Sequence, residues 1–328
     1  MKRSTMLEKI LWTACGEVLL SSVFLTPEAS ASRLVVPLHR QGEILIVDDK
    51  RLKPNQVVSG LPHVHLSATD RRFTIVAVED RAEAGGILAA VIDSREGKVV
   101  RQISLPALAS HIAVSDDGLY AAVTHPDLRA ISILDIRKGK LLKTVSLDIA
   151  PSHLTFDRKA GELFVSDADG GRLARVPVKK AGQTRFIEAT GATGHLLVSK
   201  DNKFLYAANE SSGTVRKISL ESERTVKEYA LGGEIHGIDV SPDETTLYAA
   251  DFGGGRLVAL NLSDGSTRAV RIEPAPYHLT ALTDTKQIIV TSAEQDLIWS
   301  VDAARIELTG RYPMQSEVEQ IPEIEAVP

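Results

Sequence analysis

Apolar and polar residues along the chain alternate in short runs of five to seven, and no window sustains a 3.6-residue period, so the pattern predicts strands and no long helix. From residue 65 onward the runs come in sets of four. A first apolar run follows a histidine, as in HIAVSDD and HLTFDRK. A second follows a turn rich in Asp, Gly, Lys or Asn: FTIVAV, LYAAV, LFVSD, LYAAN, LYAAD and IIVTS. A third opens after Gly or polar residues (ILAAVID, AISILDI, RLARVPV, TVRKISL, RLVALNL, LIWSVDA), and a fourth closes the unit (VVRQISL, LLKTVSL, TRFIEA, TVKEYAL, TRAVRIE, IELTGRY). Four strands in each repeat of roughly 42 residues describe a four-stranded antiparallel blade.

Six such units run from His65 to about Tyr312. Upstream, RLVVPLH, EILIVDD and QVVSG supply second, third and fourth strands with no first. The tail around residues 317–327 is placed to contribute the missing strand, so the N- and C-terminal strands would complete one blade and close the ring. The expected fold is therefore all-β, a seven-bladed β-propeller forming a single domain over residues 32–328. Residues 1–31 read as an export signal: Lys2 and Arg3, an apolar stretch over 10–25, and the small residues Ala29, Ser30 and Ala31. The mature protein is expected in the periplasm or outside the cell, as a monomer without a membrane span.

The repeat carries chemistry in one column. His65, His111, His153, His195, His236 and His278 recur at intervals of 46, 42, 42, 41 and 42 residues, and the chain holds only nine histidines. Five share a register; His236 stands one residue early, with Gly237 in the column position. Because the first strand of a propeller blade lines the axis, residues opening those strands converge on one channel mouth. The single cysteine, Cys15, lies in the leader, which leaves imidazole and carboxylate as the strong ligands of the mature chain.

Antiparallel alternation places the turns between second and third strands on the same face. Asp80, His125, Asp167, Glu210, Asp251 and Glu294 fall there and are expected at the rim, where they would attract cations or orient the imidazoles from behind. His63, two residues before His65, would share its strand face.

Three readings of the column follow. The histidines are structural and bind neighbouring blades; or they hold a transition metal, Zn, Cu or Fe; or a partly protonated ring holds an anionic or haem-like ligand, which the acidic surround disfavours. Other motifs carry less. Asp167-Ala-Asp169-Gly-Gly and Asp251-Phe-Gly-Gly-Gly lack the spaced oxygen ligands of a calcium loop, no helix follows the glycines at 253–255 to make a phosphate site, and no GxSxG motif occurs. The net charge of −5, the 5% aromatic content and the lack of any Lys/Arg block argue against nucleic-acid binding.

SDDG at 115–118, SPDE at 241–244, LYAAN and LYAAD resemble YVTN-type β-propeller repeats, a broad group that includes the cytochrome d1 haem domain and the nitrous oxide reductase propeller. The resemblance spans nearly the whole mature chain and implies the propeller fold. It implies no single activity, although the nitrous oxide reductase propeller gives a precedent for a His-bound copper cluster. The repeat family does not require the histidine column. The leading expectation is thus an exported propeller that handles or delivers a metal, with a periplasmic protein partner docking on the His and acidic face. The alternatives are a copper or iron oxidoreductase at the same site and a metal-free interaction scaffold.

Overall fold

The computed structural model describes residues 33–38, 43–48, 51–59, 61, 63–69, 73–79, 87–179, 182–189, 191, 194–282, 286–292 and 295–314. These form one three-stranded and six four-stranded antiparallel sheets, each built from strands consecutive in sequence. Blade one holds Arg33–Leu38, Glu43–Asp48 and Pro54–Val58. The inner strands of blades two to seven are His63–Thr69, Ile112–Val114, Pro151–Phe156, Leu196–Val198, Ile235–Val240 and Pro276–Ala281. No described helix is long and apolar enough to cross a membrane. The leader and the tail proposed to supply a closing strand lie outside the described residues.

Period-two alternation builds the core. Along the second strand of blade three, Ala121 and Val123 face blade two, while Ala122 faces blade four. Every blade is thus apolar on both faces and buries them against two neighbours. Seven apolar clusters fill the seven interfaces, and one of them joins the two ends of the ring: Leu34, Val36, Leu45 and Val47 of blade one pack on Leu282, Ile289, Ile298 and Met314. Ring closure is carried by this side-chain packing. Near the axis, where blades approach most closely, the second strands use alanine: Ala121-Ala122, Ala207-Ala208 and Ala249-Ala250 are all fully buried.

Candidate metal centre

The histidine column opens the inner strands at β-bulges. The pairing skips from Pro151↔Asp167 to Leu154↔Val165, so Ser152 and His153 together face Ser166. The same irregularity occurs at Val64/Leu66, Ile235/Ile238 and Pro276/Leu279. A bulge re-aims its side chain. In three blades a hydroxyl on the second strand holds it: His111 N donates to Thr124 Oγ1 (2.9 Å), His153 N to Ser166 Oγ (2.9 Å) and His278 N to Thr291 Oγ1 (3.1 Å). Each hydroxyl also lies close enough to donate back to the same histidine's carbonyl. Sequence reasoning passed over these hydroxyls, although each stands thirteen residues after its histidine.

Five imidazoles meet. Ring centroids are 3.8 Å apart for His111 and His153, 4.5 Å for His153 and His195, and 4.6 Å for His195 and His278. His236 stands 5.3 Å from both His153 and His195 and 4.9 Å from His278. Contacts between blades that are not neighbours, such as four and six or five and seven, place the cluster on the axis. His65 opens the corresponding strand of blade two, but its side chain and that of His63 are outside the description.

The one-residue slip at His236 has a steric cause. A Cβ at Gly237 would lie 2.8 Å from Tyr277 O and 2.9 Å from His278 Cα, so no side chain fits the column position beside blade seven. His236 reaches the cluster from the preceding residue instead. Its ring stacks on Tyr277 at 3.7 Å, and its Nδ1 lies 2.8 Å from Glu210 Oε1.

The ring nitrogens divide into two kinds. His111 Nδ1 and His153 Nδ1 lie 3.0 and 3.3 Å from the hydroxyls of Ser110 and Ser152. By contrast His153 Nε2, His236 Nε2 and His278 Nδ1 are buried with no hydrogen-bond partner. One ligand atom each from His153, His195 and His236 falls within a 4.8 Å span. Burial, reinforced by the neighbouring imidazoles, pushes His153, His195 and His278 well below the ordinary histidine value and keeps them neutral. Burial works against ionising Glu210, but the charge and hydrogen bond of His236, with a smaller contribution from His111, outweigh it and hold the carboxyl below its usual range. A neutral imidazole with one nitrogen on a hydroxyl and the other bare, as at His153, is the state a metal needs.

The expected rim residues separate by one position of register. Asp167 is buried and accepts from the backbone N–H groups of Ala150 (3.1 Å) and Asp169 (3.2 Å). Asp251 is buried, accepts from Glu234 N (3.1 Å) and Gly254 N (2.7 Å), and pairs with Arg256 Nε at 2.7 Å. His125 is fully buried, with Nδ1 3.0 Å from Leu108 O and Nε2 2.9 Å from Ser132 Oγ. These three end their second strands; the two aspartates cap turns and His125 is bonded within its own blade, so their hydrogen bonds go to backbone, hydroxyl or arginine groups in place of the expected contacts with the imidazoles. Glu210 lies one residue past its strand end at Asn209, and that step turns it towards His236. Asp80 and Glu294 lie outside the described residues.

Fold and cluster together define a β-propeller with a group of five imidazoles at its axis. A family model described as Lactonase, 7-bladed beta-propeller, matches residues 139–295. Among solved structures, Kuenenia stuttgartiensis Hydrazine Synthase is similar with a TM-score of 0.70 at 14% identity, over 87% of this chain and 99% of that one. Dihydro-heme d1 dehydrogenase NirN in complex with DHE is similar with a TM-score of 0.67 at 16% identity, over 92% of this chain and 69% of that one. At these identities the likeness is one of fold. No curated protein sequence matches the chain.

Proposed function

We propose that the protein is an exported propeller that binds a transition metal, Zn, Cu or Fe, through the axial imidazoles and passes it to a protein docking on the same face. The observation that carries this reading is the set of buried, unpartnered nitrogens on His153, His236 and His278. Each such atom costs on the order of 1–3 kcal/mol when nothing pairs with it. His125 shows what a structural histidine looks like in this fold, with both nitrogens hydrogen-bonded. His153, His236 and His278 each leave one buried nitrogen bare instead.

His153, His195 and His236 would supply the first donor set, with Glu210 fixing the orientation of His236. When bound, the ion would bring a Lewis-acid or redox centre to the mouth. Handling is favoured over catalysis by the surplus of imidazoles, since alternative donor sets a few ångströms apart suit an ion that arrives and leaves. Leu108 and Leu128, 47% and 48% exposed beside His111 and His125, supply apolar contact for a partner on this face. The second reading, a copper or iron oxidoreductase at the same cluster, draws on the likeness to a haem d1 dehydrogenase.

The test is elemental analysis and a visible spectrum of the purified protein, followed by reloading after chelation. Stoichiometric colourless zinc supports handling, and coloured copper or iron that cycles with an oxidant supports the second reading. Stripped protein that takes up none of the three metals would overturn both.

A further inference from the structure

The strongest surface feature unconnected with the imidazoles lies at the opposite end of the molecule, where the outer strands of blades two and three begin. Lys98–Leu105 and Lys140–Ser146 are these strands, and both open with a Lys followed by two aliphatic residues. Val99, Val100, Leu141 and Leu142 are 36, 41, 39 and 47% exposed. Both strands are bulged where the pairs lie, with the register shifting at Val91/Ile92 and Ile133/Leu134 of their partners, so consecutive aliphatic side chains both face outward. The two hairpins touch: a Cβ at Gly139 would lie 2.7 Å from Arg101 Cδ, so the Arg101 stem rests on the neighbouring turn.

Charge around this quartet runs against that of the molecule. Arg95, Lys98, Arg101, Arg137, Lys138 and Lys140 belong to the same two hairpins, in a chain whose net charge is −5, while Lys143 turns away to donate to Pro177 O at 2.8 Å. The acidic residues of the two hairpins are largely withdrawn. Asp93 is buried and accepts from the N–H groups of Arg95 and Glu96, and Asp135 accepts from Lys138 N and pairs with its ammonium. Glu96 alone stands exposed among the basic side chains. No Lys/Arg block exists in the sequence; two segments 42 residues apart assemble one.

We propose that this lower outer rim is a docking surface for anionic lipid headgroups, with the four aliphatic side chains entering the headgroup layer and the lysines and arginines meeting the lipid phosphates. Aliphatic residues flanked by Lys and Arg are the composition of interfacial membrane-binding elements. A second copy meeting it symmetrically would set basic groups against basic groups, which repel. Docked this way, the imidazole mouth faces away from the membrane.

Flotation of the full chain with vesicles of phosphatidylcholine and phosphatidylglycerol, three to one, tests this. Binding is expected to those vesicles, to weaken steeply with added salt, and to be absent with phosphatidylcholine alone. Lys98→Ser with Lys140→Ser should weaken binding about thirtyfold, from ~1 kcal/mol for each charge at roughly 1.4 kcal/mol per tenfold. Leu141→Glu with Leu142→Glu should abolish it. Val226→Glu, at a 54% exposed position on blade five, should leave it unchanged. Thermal unfolding of each variant checks the fold, and the lysine pair carries the test if the leucine pair misfolds. The proposal falls if the protein ignores anionic vesicles or binds neutral ones equally, or if the Lys98/Lys140 variant binds like the parent. It falls also if Val226→Glu weakens binding as much, or if the same variants dissociate a dimer in solution.

Discussion

His153 shows how far a side chain can be arranged against its own stability. Its ring is buried, nearly neutral and bare at Nε2, so the folded protein without metal carries an uncompensated polar atom. His153→Leu should therefore raise the stability of the metal-free protein by about 1 kcal/mol while weakening the stabilisation given by added Zn. Paired melting curves with and without the ion check both halves; destabilisation of the metal-free protein would favour a structural role. Glu210→Gln keeps the shape but removes the charge behind His236, and should weaken metal affinity by about 10–100-fold in chelator competition. The pH dependence follows from the same burial. His153, His195 and His278 titrate below their unfolded value of 6.5. As pH falls below about 6.5 the unfolded chain takes up protons that the folded one does not, so stability is full above that pH and declines beneath it. Proton competition with metal should likewise set in well below 6.5, lower than an unperturbed imidazole would give. Calorimetric binding isotherms at stepped pH would show it.

At the scale of the element, the bulge and its hydroxyl latch form one device. Ser166 accepts the His153 N–H and lies within reach of the same residue's carbonyl, so a single side chain satisfies the backbone that the bulge frees. Ser166→Ala should cost about 1–2 kcal/mol, because a buried N–H is left unpaired, and should also loosen the metal site. Denaturation midpoints and metal affinity should move together; a stability loss with unchanged affinity would show that the latch does not aim the ring. In blades five and six the latch position is Ala208 and Ala250, and in blade six His236 is steadied instead by Glu210 and Tyr277.

For the whole molecule, closure makes the interface between the last and first blades equivalent to the other six. Ile298 in the closing interface and Ile131 between blades three and four are both fully buried. Substituting either with Ala should cost about 2–5 kcal/mol and shift a single cooperative unfolding transition. A mild effect at Ile298 beside a severe one at Ile131 would mean an open ring. The lipid-docking rim belongs to this scale as well, since neither hairpin holds enough charge or apolar surface by itself.

Much of this was legible in the chain. Period-two alternation and the repeat length fix the blades, because a strand must bury one or both faces and a run of five or six residues can do so only in a sheet. The histidine column was legible because repetition carries every copy to an equivalent place, and circular closure carries equivalent places near the axis to one another. What the sequence could not decide was direction within a residue or two. Asp167, Asp251 and His125 looked like companions of Glu210, yet one step of register turns the aspartates into turn caps and ties His125 to Leu108 and Ser132 of its own blade. Gly237 looked like a gap in the column, yet the backbone of blade seven fills the space a side chain would need. Which imidazole nitrogens stay bare, and which distant lysines share a surface, depends on distances between blades. Those are set only when all seven pack.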